Sequence, residues 1–184
     1  MIIAGIVLAV ALVIVVWGIG VYNGLIRLRN LKDEGWSGID VQLKRRHDLV
    51  GNLVNTVKGY MAHEKDVLEE IAKMRSMAQN AAGVAQAAQA EGMLSQALGR
   101  LFAVMENYPQ LRANENVMQL QNTLTALEDE IQIARRYYNG TGREYNTRTE
   151  VSPASIIARQ YGFQKADFFE LDNVAEREVP QVSF

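Results

Sequence analysis

Residues 2–22 carry no charge and almost no polar side chain, and beyond them the apolar pattern becomes periodic. The series Trp36, Ile39, Leu43, Arg46, Val50, Leu53, Val57, Tyr60, Glu64, Val67, Ile71, Met74, Ala78 alternates steps of three and four. That spacing predicts a helix with one continuous packed seam. No proline interrupts residues 2–105, so the apolar run and this seam read as one long rod, with Gly24 or Gly35 as places for a bend. A second seam, Val117, Leu120, Leu124, Leu127, Ile131, Ala134, Tyr138, predicts another long helix over about 111–148. Between the seams, NAAGVAQAAQAEG is a low-complexity stretch with little to bury. It reads as a flexible connection or frayed helix, followed by a shorter helix over about 92–107. Tyr108-Pro109 ends that helix and starts the next. Ser152-Pro153 resembles an N-cap with a first-turn proline, giving a short helix to about Tyr161 that Gly162 stops.

The fold class is therefore all-α: an N-terminal transmembrane helix followed by a long antiparallel, coiled-coil-like helical bundle. The expected divisions are an anchor over 1–24, the bundle over 25–162 and an acidic, aromatic tail over 163–184. At 1.5 Å per residue the uncharged run spans about 31 Å, close to the hydrocarbon thickness of a bilayer. A cleaved signal peptide needs a basic start and a shorter apolar stretch, and neither is present. The other alternative, a core helix, does not need so long an uncharged run. Arg27, Arg29 and Lys32 follow the run and no basic residue precedes it. The positive-inside rule then puts the N-terminus outside and the rest in the cytoplasm, at the inner membrane. Trp17 and Tyr22 lie near the cytoplasmic interface, where aromatic rings collect. Gly5-x-x-x-Ala9 and Gly20-x-x-x-Gly24 would let two anchors approach closely, although such pairs are common in any membrane helix.

A one-sided apolar helix must bury its stripe against another. The first seam outruns the second by several turns, and an identical neighbour is the simplest supplier of the missing surface, so a homo-oligomer is expected. Two seam positions are charged, Arg46 and Glu64. A buried unpaired charge is costly, so Arg46 calls for a carboxylate from the second helix, Glu128 or Asp129. Snorkelling to the seam edge is the other outcome.

Composition narrows the chemistry. The 184 residues are 48% apolar with a formal charge of −2, which lacks the basic excess of a nucleic-acid binder. With no cysteine, disulfides, thiol catalysis, Cys-ligated metals and an N-terminal lipidated cysteine are excluded. His47 and His63 are sixteen apart, which is not the spacing of a helical metal pair. No dinucleotide, P-loop or nucleophile-elbow pattern occurs, so no cofactor, metal or catalytic residue is expected. Arg27, Arg29 and Lys32 suit anionic headgroups, at about 1 kcal/mol each near the surface. Lys44, Arg45 and the seam's Arg46 stand too far along an upright helix and suit protein partners or solvent. In the tail, Phe163, Phe168 and Phe169 either clip the chain to the bundle or, with Asp167, Glu170, Asp172, Glu176 and Glu178, form a docking peptide.

Four stretches resemble the LemA family: YNGLIRLRNLKDEGWSGIDVQLKRRHDLVGNLVNTVKGYMAHE, NYPQLRANENVMQLQ, LEDEIQIARRYYNGTGREYN and the YGF…FFE segment. Together they cover essentially the whole chain after the anchor. Gly51 departs from the pattern, since the family usually has proline there, and this leaves open the local kink that the family's proline implies. The resemblance implies a bacterial, membrane-anchored, α-helical protein with its N-terminus outside, and it carries over no catalytic residue. It also implies a neighbourhood of membrane proteases and stress responses. Three functions follow: a non-enzymatic scaffold that self-associates, an adaptor presenting substrates to a membrane protease, or an enzyme with an unrecognised polar pocket.

Overall fold

The computed structural model describes residues 2–61 and 63–170. Six helices follow in order: α1 (Ile2–Val57), α2 (Lys65–Gln79), α3 (Val84–Met105), α4 (Pro109–Arg112), α5 (Glu115–Glu150) and α6 (Ala154–Gln160). No strand occurs among the described residues, and the all-α class holds. Helix α1 runs uninterrupted through Gly24, Gly35 and Gly51. Its 56 residues make a rod of about 84 Å.

Helix α5 lies antiparallel along the part of α1 beyond the apolar run. Gly35 backs onto Tyr138, where an added Cβ would stand 3.2 Å from the Tyr138 Cα, so any larger residue would push the two helices apart by a few tenths of an ångström. Farther along, Arg45 reaches Glu130 and Arg46 reaches Glu128. Asn114 caps α5, its side-chain oxygen accepting from the Asn116 and Val117 amides.

Three apolar clusters stack along this pair. The far one joins Val50, Leu53 and Val57 of α1 to Ile71 of α2, Leu94 and Leu101 of α3, and Val117 and Leu124 of α5. The middle one joins Ile39 and Leu43 to Ala87, Ala88, Leu127, Ile131, Tyr138 and Phe169. The third joins Val21 and Leu25 to Ala154 and Ala158 of α6. The protein is thus a four-helix bundle at one end, narrowing to a two-helix stem that meets the anchor.

Besides the start of α6, where Pro153 rather than Ser152 stands at the N-cap and no side chain caps the helix, two sequence expectations are corrected. The first seam does not continue to Ala78 in one helix, because α1 ends at Val57 and the chain turns over 58–64, past Gly59. Alternating spacing survives the break, but the faces do not: Tyr60 is exposed and Met61 takes the core position. Helix α2 folds back, Arg75 Nε donating 2.6 Å to the His47 carbonyl and Arg100 of α3 reaching Glu70. The surplus seam is therefore covered within the chain, by α3. The second correction concerns the Ala/Gln stretch, which is helix from Val84 onward rather than a frayed connection. Alanine is the best helix former, and here Ala87, Ala88 and Ala90 are buried in the core.

The tail begins as part of the fold. After Gly162, at φ +71, the chain turns back along α5. Asn146 clasps Ala166 through both ends of its amide, at 2.9 and 2.7 Å, and Asn139 clasps Phe169 at 3.1 and 2.9 Å. The two asparagines are seven apart and so share one helix face. Phe169 is fully buried beside Trp36 and Tyr138, Phe163 meets Tyr22, and Phe168 lies against Gly142. The rest of the expected docking peptide, including Asp172, Glu176 and Glu178, lies outside the described residues.

Candidate functional site: a buried charge cluster and the membrane-proximal end

The densest chemistry lies where α1, α3 and α5 meet. Arg46 occupies the seam, and its guanidinium donates to Glu91 at 2.9 Å and to Ser95 at 2.7 Å, with Glu128 at 3.2 Å. His47 Nε2 donates 2.5 Å to the second oxygen of Glu91. Arg46, His47 and Glu91 are all buried. Helical spacing explains the cluster: Glu91 and Ser95 are one turn apart on α3 and face two consecutive residues of α1. Glu128 and Glu91 share the arginine, whereas Asp129 is exposed on the other side of α5. The second seam charge, Glu64, lies in the 58–64 turn and accepts from Tyr108 at 3.2 Å.

Glu91 is the residue that sequence reasoning missed. It sits within an Ala/Gln run that looked unstructured, and only its placement four residues before Ser95 in a real helix aims it at α1. Its arrangement is that of a structural clasp, with Glu91 accepting from both Arg46 and His47; a cavity of about 310 Å³ opens beside it, lined in part by Arg46, Ser95 and Glu128. Among the described residues no group of three or more His, Cys, Asp or Glu is placed to hold a metal ion. His63 is exposed in the turn, remote from His47.

Burial also governs the tyrosines of the stem. Tyr138 donates 2.7 Å to the Asp167 carbonyl, and its phenol is pushed up from 10.0 to about 12 by burial, then by the charges of Asp167 and Asp33. Tyr145 is raised by burial, with Arg29 opposing and Asp33 reinforcing the shift.

At the membrane-proximal end, the most apolar 18 residues of α1 have a mean hydropathy of 3.0 and none is buried, so the helix is long and apolar enough to cross a bilayer. Gly5 and Gly20 have nothing within reach of an added Cβ, and Ala9 is exposed. Gly24 is half-buried but likewise open at its Cβ position. Of the three basic residues after the run, Arg27 and Arg29 are exposed, with Arg29 also 5.6 Å from the Phe163 ring centre. Lys32 is half-buried, bonds Asp33 at 2.8 Å and lies over Tyr145 at 5.7 Å.

Comparison with known proteins agrees with this architecture. Magnetosome proteins MamQ 1 and MamQ 2 of Paramagnetospirillum magneticum are each 25% identical over 175 residues, covering 81% of this chain and 64% of theirs. Protein LemA of Metamycoplasma hominis is 23% identical over 162 residues, covering 88% of this chain and 74% of its own. The chain thus spans slightly less than two thirds of the MamQ proteins. None of these names describes an enzyme. The family model for LemA matches residues 35–184, the whole bundle after the first turns of the stem, and the chain belongs to the LemA family.

Proposed function

We propose that the chain is a non-enzymatic, membrane-anchored helical scaffold that self-associates and organises membrane proteins or the bilayer around it. The surplus seam no longer argues for a second copy, since α3 covers it. The observation that carries the reading is an open flank of the stem. Ile133 and Tyr137 are exposed on α5, one and two turns from Glu130, which faces Arg45 of α1. Val41 of α1 is also exposed, one turn from Arg45. Apolar side chains grouped in this way around an ion pair suit contact with a like surface. The anchor adds the open Gly5, Ala9 and Gly20 face, which lets two membrane helices pack closely.

Continuity of α1 from Ile2 into the buried residues Val21 and Leu25 supports a retained anchor rather than a cleaved leader. The exposed Arg27 and Arg29 support a bundle on the cytoplasmic side of the inner membrane with the N-terminus outside. Protein and lipid partners, not nucleic acid, suit the near-neutral charge. The test is crosslinking in native membranes of the full chain and of an Ile133→Glu, Tyr137→Glu variant. Loss of crosslinked copies in a variant with an unchanged circular-dichroism melt is expected. Undiminished crosslinking would remove the flank as the contact.

A second reading, an adaptor presenting substrates to a membrane protease, rests on the acidic residues Asp172, Glu176 and Glu178, which follow the segment over 163–170 that lies along α5 as a strap. It requires that deleting residues 171–184 release a co-purifying protease while self-association persists. A protease retained by the truncated chain would end that reading.

A further inference from the structure

Helix α6 is fastened to the anchor itself, not to the bundle's far core. A Cβ on Gly18 would stand 3.9 Å from Ile157 Cδ1, the rings of Tyr161 and Tyr22 are 4.9 Å apart, and Ala154 and Ala158 close on Val21 and Leu25. Gly18, Val21 and Tyr22 belong to the uncharged run. An element from the end of the described chain is therefore level with the last turns of the segment that crosses the bilayer. Its other side is open. Ile156 is 65% exposed, Tyr161 62%, and Val151, just before the helix, 53%. Arg148 and Arg159 are exposed around them, as are Arg27 on α1 and the Trp17 indole.

We propose that α6 is an interfacial membrane helix, lying in the headgroup–acyl boundary with Val151, Ile156 and Tyr161 in contact with lipid. Arg27, Arg148 and Arg159 meet anionic headgroups. The occupant follows from continuity. The hydrocarbon core takes about 20 helical residues, so a bilayer that begins at the start of the uncharged run ends near Tyr22, beside α6. Aromatic rings at that level, Trp17, Tyr22 and Tyr161, match the belt that aromatic residues form at a bilayer surface. The surrounding arginines complement anionic lipid, as on other helices that lie in the interface. With a second element in the interface, the depth and rotation of the stem relative to the membrane plane are set, which a lone spanning helix does not achieve.

This inference rests on α1 crossing the bilayer, and the experiment separates the two. The chain has no cysteine, so single Cys labels report one place each. Ile156→Cys, Val151→Cys, Val13→Cys and Ile133→Cys variants of the full chain carry an environment-sensitive fluorophore. They are placed in nanodiscs of phosphatidylcholine and phosphatidylglycerol with brominated acyl chains. The labels at 151 and 156 are expected to be quenched several-fold more than that at 133, approaching the label at 13. Quenching at 13 with 151 and 156 behaving like 133 overturns the interfacial placement and leaves the anchor standing. Labels at 151 and 156 shielded from both bromolipid and iodide show protein there instead, which also overturns it. An unquenched label at 13 overturns the anchor reading, and the placement with it.

Discussion

Glu91 holds two side chains of α1 at once, and its removal leaves the Arg46 guanidinium and the His47 ring without their shared acceptor. Breaking a buried pair by deleting one partner typically costs about 3–5 kcal/mol, whereas replacing the whole group by packed apolar side chains is often neutral. Glu91→Ala is therefore expected to lower the stability of the detergent-solubilised protein by about that amount, read from chemical unfolding. An Arg46→Met, His47→Leu, Glu91→Met variant is expected to recover most of it, and a Glu91→Ala melt unchanged from the parent would contradict the clasp. Tyr138 gives a pH signature. Its phenol ionises at 10.0 in the unfolded chain and at about 12 in the fold. The stabilisation is thus complete below pH 10 and disappears as pH rises towards about 12. Melting temperature should fall across that window more steeply than in Tyr138→Phe, and parallel curves would contradict the assignment. At this scale the sequence was partly legible. Arg46 on a seam announces a buried cation, but its partner across forty-five residues depends on how α3 crosses α1, which local pattern does not encode.

At the scale of elements, long periodic runs were the legible part. Helix α5 follows from its seam, although it begins at Glu115 behind the Asn114 cap rather than near 111, and Gly162 marks the stop of α6. The break after Val57 was hidden because Val57, Tyr60, Glu64 and Val67 keep helical spacing through a turn, so that periodicity alone cannot tell a bend from a rod. Gly59 was its only sequence mark. Helix α3 was hidden for the opposite reason: alanines bury little area each, so Ala87, Ala88 and Ala90 leave little apolar signal in the sequence although all three are buried. The strap over 163–170 belongs to the bundle by the same logic of placement, since its backbone is satisfied by Asn139 and Asn146 rather than by a partner strand. Phe169→Ala is expected to cost about 3–5 kcal/mol, as for other fully buried aromatic residues. Asn139→Ala with Asn146→Ala should speed amide exchange of Ala166 and Phe169 while leaving α1 protected. Exchange unchanged at both amides would show that the two asparagines do not hold the strap, leaving its ring burial and the Tyr138 and Arg135 hydrogen bonds to its carbonyls.

The whole molecule is a rod whose exposed apolar surfaces lie at one end and along one flank. Its apolar anchor is bare, its stem carries the Val41, Ile133 and Tyr137 flank, and its charged cluster is turned inward to fix how α3 docks. Such a distribution places interaction outside and rigidity inside, as suits a scaffold whose copies or neighbours are its ligands. The measurement that tests this most directly is the mass of the full chain in lipid nanodiscs or gentle detergent, with the lipid or detergent contribution subtracted. The account predicts a discrete oligomer that dissociates in the Ile133→Glu, Tyr137→Glu variant. A monomer at every protein concentration would contradict self-association.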